Sequence, residues 1–95
     1  VIPQKYLLHQ NFPNPFNPPP TIHYGIPTVS KVQLIIYDIL GREVVTLLNE
    51  IKPAGYHQIV WEGKDNFGKS VGSGIYIYKI NVGNFQNTKK MVLLK

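Results

Sequence analysis

The chain has no cysteine among its 95 residues, so it can form neither a disulfide framework nor a thiolate nucleophile or thiolate metal site. Acidic residues are also scarce: five Asp and Glu stand against ten Lys and Arg, which gives a net charge of +5. Only one of the basic residues is an arginine, and the lysines are scattered. Because proteins recognise guanine and phosphate preferentially through the bidentate arginine side chain, we expect no nucleic acid partner.

Long hydrophobic runs are missing as well. The longest have four residues, such as Ile75–Tyr78, whereas a helix that spans a membrane needs about twenty. We therefore expect no membrane span. The opening VIPQKYLL lacks the charged and apolar regions of a signal peptide. Either the protein is not exported, or the sequence is a piece of a longer exported chain.

Apolar residues make up 43% of the sequence, which suffices for the core of one small domain. Residues 1–30 hold seven of the eight prolines, and proline fixes φ and removes a backbone donor, so no helix is expected there. This stretch nevertheless contains Phe12 and Phe16. We predict that residues 1–20 form a proline-rich segment packed on a domain of residues 21–95, with the two phenylalanines as anchors.

The remaining sequence alternates between apolar stretches, rich in β-branched and aromatic residues, and turns that contain glycine. This pattern predicts short strands. Residues 42–51 could compete as a helix, but they are few and include Val44, Val45 and Thr46, so we predict a strand there too. Six or seven strands at a spacing of about ten residues are typical of a β-sandwich or barrel. The predicted strands are residues 21–26, 32–38, 42–50, 56–63, 75–82 and 85–95, with a tight turn at 83–84.

Aromatic residues raise the alternative of carbohydrate binding, since Trp61 and the six tyrosines could stack on sugar rings. The alternation places Trp61, Tyr76 and Tyr78 on the same faces as neighbouring isoleucines. A sandwich this small needs its large residues inside, so we interpret these three as core. Tyr37 and Tyr56 remain the better surface candidates.

One motif matches a phosphate-binding loop literally, because residues 63–70, GKDNFGKS, have the form G-x-x-x-x-G-K-S. That site needs a helix directly after the loop, and the following VGSGIYIY favours a strand, so we interpret the match as chance. Asp65 and nearby Glu62 could offer oxygens to calcium, but we favour Asp65 capping its own turn. The histidines, serines and acids form no catalytic pattern; we expect no enzyme, cofactor or metal.

Four stretches, residues 7–27, 36–47, 54–80 and 88–95, together resemble the type A C-terminal sorting domain of type IX secretion. The QNFPNPFNP opening and the closing KKM with its terminal lysine carry the resemblance. The middle of the chain also resembles the immunoglobulin-like domain of flagellar hook-capping proteins. Pro19–Pro20 departs from the sorting-domain pattern, which usually has threonines, and should stiffen the approach to the first strand.

The resemblance implies an all-β fold, an immunoglobulin-like antiparallel β-sandwich of about seven short strands. It implies a non-catalytic domain that directs a larger secreted protein, commonly a hydrolase, across the outer membrane to the medium or cell surface. The implied partners are the outer-membrane translocon, a sortase-like peptidase and the upstream catalytic domain of the same chain. The sorting-motif residues carried over are Pro13, Asn14, Pro15, Phe16, Gly74, Tyr76, Lys89, Lys90, Met91 and Lys95.

Among these residues we expect Tyr76 in the core, Gly74 at a turn and the lysines exposed. We also expect Met91 and Leu93 to be buried, so that deletion of residues 89–95 both blocks export and destabilises the fold. Two alternatives stay open: an accessory β-sandwich that stabilises or spaces a catalytic domain, and a carbohydrate-binding module. Weak pairing of exposed edge strands between two copies also stays open.

Overall fold

The structure is a computed structural model that describes residues 2–14 and 19–94. These residues form seven strands and no helix, so no helix within them could span a membrane. In chain order the strands are β1 (Leu7–Leu8), β2 (Thr21–Ile26), β3 (Ser30–Asp38), β4 (Glu43–Lys52), β5 (Gly55–Val60), β6 (Gly74–Val82) and β7 (Phe85–Leu93).

The strands build two antiparallel sheets. One has three strands in the order β1-β2-β5, and the other has four in the order β4-β3-β6-β7. Each named pairing is antiparallel. The all-β sandwich predicted from the sequence is therefore confirmed, and the ambiguous stretch at 42–51 is strand β4 rather than a helix.

The core lies between the two sheets, because alternate side chains of each strand point to the same face. Burial on β6 alternates accordingly, with Tyr76, Tyr78, Ile80 and Val82 buried and the residues between them half-buried. Trp61, which follows β5, is 1% exposed. The core positions predicted for Trp61, Tyr76 and Tyr78 are thus confirmed, and these rings are not available for stacking on sugars.

Two turns follow directly from their sequences. Gly83, with a φ of 57°, is the first residue of the two-residue turn between β6 and β7, where Val82 pairs with Phe85. A positive φ at this position is the mark of a type II′ hairpin turn. The tight turn predicted at 83–84 is confirmed.

The β3–β4 turn is organised by Asp38. Its Oδ1 accepts the backbone N–H of Leu40 at 2.9 Å and of Arg42 at 3.0 Å, and its Oδ2 lies 2.8 Å from Arg42 Nε. The Arg42 N–H and guanidinium, together with the Leu40 N–H, hold the pKa of Asp38 below its ordinary value. This loop joins the strands as predicted.

Some strand limits differ from the prediction. The strand predicted to reach residue 63 ends at Val60, because the chain turns at Gly63, which has a φ of 74°. Strand β1 was not predicted; it is only two residues long and pairs with Tyr24 and Gly25 of β2. The last strand ends at Leu93.

The outer edge of β4 is covered by the loop that follows β5. The backbone N–H of Asn66 donates to Val44 O at 3.0 Å, while Asn66 Oδ1 accepts the N–H of Thr46 at 3.0 Å. Asn66 Nδ2 also donates to Glu43 Oε2 at 3.0 Å. One asparagine thus supplies, at Val44 and Thr46, the hydrogen bonds that a further strand would make, which protects this part of the β4 edge from pairing with another chain.

Candidate recognition surface

The N-terminal segment lies along the sandwich and joins its two sheets. Tyr78 Oη, on the four-stranded sheet, donates to His9 O at 2.7 Å, while His9 N donates to His23 O, on the three-stranded sheet, at 3.0 Å. Further along, Phe12 and Thr21 exchange two backbone hydrogen bonds of 3.0 and 2.8 Å. These contacts attach residues 9–12 to both sheets.

The anchors of this segment are not the predicted ones. Phe12 is 77% exposed, so its predicted anchoring role is wrong, and Phe16 lies outside the described residues. The buried residues of the described part of the segment are instead Pro3, Leu8, Asn11 and Pro20. Successive side chains in extended backbone point to opposite sides; with Asn11 directed inwards, Phe12 faces solvent.

Asn11 is buried, with 3% exposure, and both ends of its amide are hydrogen-bonded. Its Nδ2 donates to Pro13 O at 2.6 Å, and its Oδ1 accepts from Gln10 Nε2 at 2.7 Å. Buried polar groups are stable only with such partners. The Gln10–Asn11 pair therefore fixes the position of Pro13.

The same segment covers part of β7, the edge strand of the four-stranded sheet. Gln10 Nε2 donates to Lys90 O at 2.6 Å, and Asn14 Oδ1 accepts the backbone N–H of Val92 at 3.0 Å. We call the surface formed by Gln10, Asn14, Lys89 and Lys90 the recognition surface. It contains residues from both ends of the chain, held in place by backbone hydrogen bonds.

The structure brings together only some of the predicted sorting-motif residues. Asn14 and Lys90 are both exposed and lie where the N-terminal segment contacts β7, whereas Lys89 is half-buried, against the expectation that it is exposed. Pro13 is half-buried just before them. Pro15, Phe16 and Lys95 lie outside the described residues. The role of each in sorting stays a prediction.

The remaining motif residues, Gly74, Tyr76 and Met91, make contacts within the sandwich. Gly74 is the first residue of β6 and pairs with Leu93, so it lies in a strand end rather than the predicted turn. Tyr76 packs edge-on against Trp61, with ring centroids 5.3 Å apart, and its hydroxyl donates to Gly72 O at 2.7 Å. Met91 is fully buried, as predicted.

Burial keeps the core tyrosines protonated. It raises the pKa of Tyr78 to about 12, an effect that the Asn11 backbone hydrogen bond partly offsets. Burial and the nearby Asp38 charge also raise the pKa of Tyr76. At neutral pH both hydroxyls therefore remain donors to the carbonyls of His9 and Gly72.

The charge around this surface is one-sided. Residues 66–95 contain five lysines and no Asp or Glu. In the described part of the chain, the carboxylates of Asp38 and Glu50 pair with Arg42 and Lys52, away from β7. The lysines of β6 and β7 therefore present uncompensated positive charge. The run without acids was visible in the sequence, but its meaning depends on which strands are neighbours.

Two shallow cavities open on the four-stranded sheet. One, of about 320 Å³, is lined by Lys31, Gln33, Asn49, Asn81 and Gly83. The other, of about 280 Å³, lies next to the recognition surface and is lined by Ile77, Thr88, Lys89 and Lys90. A surface built from amides, backbone groups and lysines can offer hydrogen bonds and positive charge to another protein.

The loop that resembles a phosphate-binding motif is held by its own carboxylate. Asp65 Oδ1 accepts the N–H of Phe67 at 2.9 Å and of Lys69 at 3.0 Å. The chain then continues to β6 without a helix. The predicted capping role of Asp65 is confirmed, and the residues described hold no group of three His, Asp or Glu that could bind a metal.

His57, on β5, makes packing contacts within the three-stranded sheet. Its Nε2 lies 2.8 Å from Pro53 O, and its ring stacks on Tyr24 with the centroids 5.3 Å apart. These contacts explain the histidine as part of the sandwich.

The family of FlgD Ig-like domains matches residues 24–84. The chain belongs to this family. The resemblance of its middle part to hook-capping proteins is thereby confirmed. No curated protein matches the sequence.

Solved structures share the fold over most of the chain. Dimeric latent PorU from Porphyromonas gingivalis aligns with 94% of this chain at 26% identity and a TM-score of 0.74, although the match covers 9% of PorU. PorZ from the same organism aligns with 93% at 17% identity and a TM-score of 0.65, covering 11% of that protein. FlgD from P. aeruginosa aligns with 76% at 23% identity and a TM-score of 0.60, covering 57% of that chain.

Proposed function

We propose that this chain is a non-catalytic C-terminal sorting domain, which directs a larger secreted protein, such as a hydrolase, across the outer membrane by type IX secretion. The protein then resides in the medium or at the cell surface. The motifs at both ends of the sequence support this proposal. The fold shared with PorZ, described as an essential bacterial surface component of the type IX secretion system, is consistent with it.

One observation carries the proposal: Asn14 Oδ1 accepts the N–H of Val92, 78 residues away in the sequence. The two sequence stretches that carry the resemblance to sorting domains thus meet at one place on β7. Separated motifs that form one ordered surface are what recognition by another protein needs.

The partners that we propose are the outer-membrane translocon, a sortase-like peptidase and the catalytic domain upstream in the same chain. A domain that serves as a signal needs a stable surface more than a pocket. The core supplies stability, since Met91 and Leu93 of β7 are buried between the sheets. The opposite side of β7 then remains available to other proteins.

The test is to fuse the 95 residues to the C-terminus of a periplasmic reporter enzyme in a bacterium with a type IX system. We expect the reporter in the medium or on the cell surface when the domain is present. Without the domain, or in a strain that lacks the translocon, the reporter should stay in the periplasm.

Deletion of residues 89–95 should also trap the reporter in the periplasm. Because this deletion removes Met91 and Leu93 from the core, the double substitution Lys89→Gln/Lys90→Gln serves as a matched variant that keeps the core. Export that is equal with and without the whole domain would refute the sorting function.

A further inference from the structure

Part of the β7 edge is open. Val82 and Phe85 flank a two-residue turn, so they form a hydrogen-bonded pair, and such pairs alternate along an antiparallel ladder. The backbone groups of Gln86, Thr88 and Lys90 therefore face away from β6. The Lys90 carbonyl accepts from Gln10, but no described residue bonds the N–H and C=O of Gln86 and Thr88 or the N–H of Lys90.

This contrasts with the other edge of the same sheet. On β4, the Asn66 backbone and side chain bond Val44 and Thr46. On β7, Gln10 and Asn14 cover the strand only from the Lys90 carbonyl onwards. The open stretch is consequently bounded at one end by the hairpin turn and at the other by the N-terminal segment, which defines its length and its register.

Lysines surround the open stretch on both faces of the sheet. Thr88 pairs with Lys79, which projects from the outer face as Thr88 does, and exposed Lys90 is the next residue on that face. Lys89 lies on the inner side. A strand placed beside β7 would project side chains from both faces of the sheet. A carboxylate on either face would lie close to a lysine, because directly opposite side chains of neighbouring strands are about 5 Å apart.

The same charges argue against a second copy of this chain as the occupant. Two β7 edges brought together would bring the lysines of both copies close to one another, and this repulsion between like charges disfavours the strand pair. Lysine on an edge strand is a common means of preventing pairing between identical chains. An acidic strand reverses this effect, so the lysines select a partner by charge.

We propose that an extended acidic peptide segment of a partner protein adds as a further strand to β7 along residues 86–90. Backbone hydrogen bonds from the open groups of Gln86, Thr88 and Lys90 hold the added strand, and Lys79, Lys89 and Lys90 select its carboxylates. The identity of the partner rests on the proposed function: for a sorting domain, it is a component of the export machinery.

The first test uses the 95-residue chain and a short synthetic peptide of alternating threonine and glutamate, blocked at both ends. At saturating peptide, exchange of the amide hydrogens of Gln86, Thr88 and Lys90 should slow by at least about tenfold. A threonine–lysine peptide of the same length should have no effect. Protection confined to the β4 or β1 edge, or equal effects of both peptides, would overturn the proposal.

A proline substitution at the edge isolates the backbone contribution. Thr88→Pro removes an N–H that the β6–β7 ladder does not use, and proline is tolerated where the N–H faces solvent. The variant should melt near the wild-type temperature and lose binding by about tenfold or more, whereas Thr88→Ala should bind as the wild type does. If Thr88→Pro does not fold, the hydrogen-exchange experiment on the wild-type chain still tests whether the peptide adds to β7.

A charge test completes the design. Lys79→Gln/Lys90→Gln should weaken binding by about twofold to thirtyfold, since it removes two exposed ion pairs of modest strength. Binding should also weaken between about 0.05 and 0.5 M salt. Peptide affinity that changes neither with the double substitution nor with the salt concentration would contradict selection by charge.

The two proposals can fail separately. If the reporter fusion is exported normally with Thr88→Pro but not without the domain, the sorting function stands and the added strand is wrong. If export is independent of the domain while the purified chain still binds the acidic peptide through β7, the added strand stands and the sorting function is wrong.

Discussion

The hydroxyl of Tyr78 donates a hydrogen bond of 2.7 Å to the carbonyl of His9, across 69 residues of sequence. Tyr78 is fully buried in β6, and His9 follows β1. The contact therefore attaches the N-terminal segment to the four-stranded sheet. It is the structural basis for placing Gln10 and Asn14 on β7.

Removal of the Tyr78 hydroxyl should loosen the segment. We expect Tyr78→Phe to lower the free energy of unfolding by about 1–3 kcal/mol, because the partly buried His9 carbonyl loses its partner. Urea denaturation measures this, and exchange of the Val92 amide should quicken at the same time. Tyr37→Phe is the matched control: Tyr37 is half-buried and has no hydroxyl bond within the described residues. Equal losses in both variants would contradict this role for Tyr78.

Alkaline pH should destabilise the domain through its buried tyrosines. Burial raises the pKa of both Tyr24 and Tyr78 to about 12. A folded-state pKa above the unfolded value favours the protonated form, so the contribution is complete below about pH 10 and is lost between about pH 10 and 12. Urea midpoints measured from pH 8 upwards should fall in that window.

Tyr24→Phe provides the control for the alkaline transition. It removes one of the three tyrosines whose pKa is raised, the others being Tyr76 and Tyr78, and no hydrogen bond of the Tyr24 hydroxyl is present in the described part of the chain. The fall of stability with pH should become shallower by about a third to a half. A slope identical to that of the wild type would show that other groups control the transition.

Truncation of Met91 should affect stability much more than truncation of its neighbours. Met91 is fully buried between the sheets, and Met→Ala changes in cores cost about 2–5 kcal/mol. For a small domain that is a large part of a total of about 5–15 kcal/mol. Thermal melting measures the loss, with exposed Lys90→Ala as the control. A Met91→Ala variant as stable as Lys90→Ala would place β7 outside the core.

The stability of the loop after β5 should depend on the Asp65 carboxylate and not on added ions. Asp65→Ala should cost about 1–2 kcal/mol, because the N–H groups of Phe67 and Lys69 lose their acceptor. Calorimetry of the wild-type chain should detect no binding of ATP or of calcium at millimolar concentration. Measurable binding that disappears in Asp65→Ala would contradict the capping role.

Much of the fold could be predicted because two-residue alternation is a local signal. It located β2, β3, β4, β6 and β7 to within a few residues and placed Trp61, Tyr76 and Tyr78 in the core. Strand β1 left no such signal, since only Leu7 and Leu8 pair with β2. Whether these two residues form a strand depends on the contacts that hold the chain before and after them.

The recognition surface was only partly predictable, for a similar reason. Sequence motifs named Asn14 and Lys90 as sorting residues, but did not show that Gln10 and Asn14 bond the backbone of β7 at Lys90 and Val92. Phe12 was expected to be an anchor because of its size, whereas the register of its bridge with Thr21 turns it to solvent. Asn11 is buried instead because its hydrogen bonds, formed only in the folded chain, compensate its polarity.

The most direct test of the central claim, recognition through β7, compares two double variants of equal charge in the reporter fusion. Lys89→Gln/Lys90→Gln should reduce the exported fraction by at least about fivefold, with melting temperatures within a few degrees of wild type because neither lysine is buried in the core and neither forms an ion pair with a described residue. Lys31→Gln/Lys64→Gln, which alters exposed lysines elsewhere, should export like the wild type. Equal export of both variants and the wild type would contradict the account.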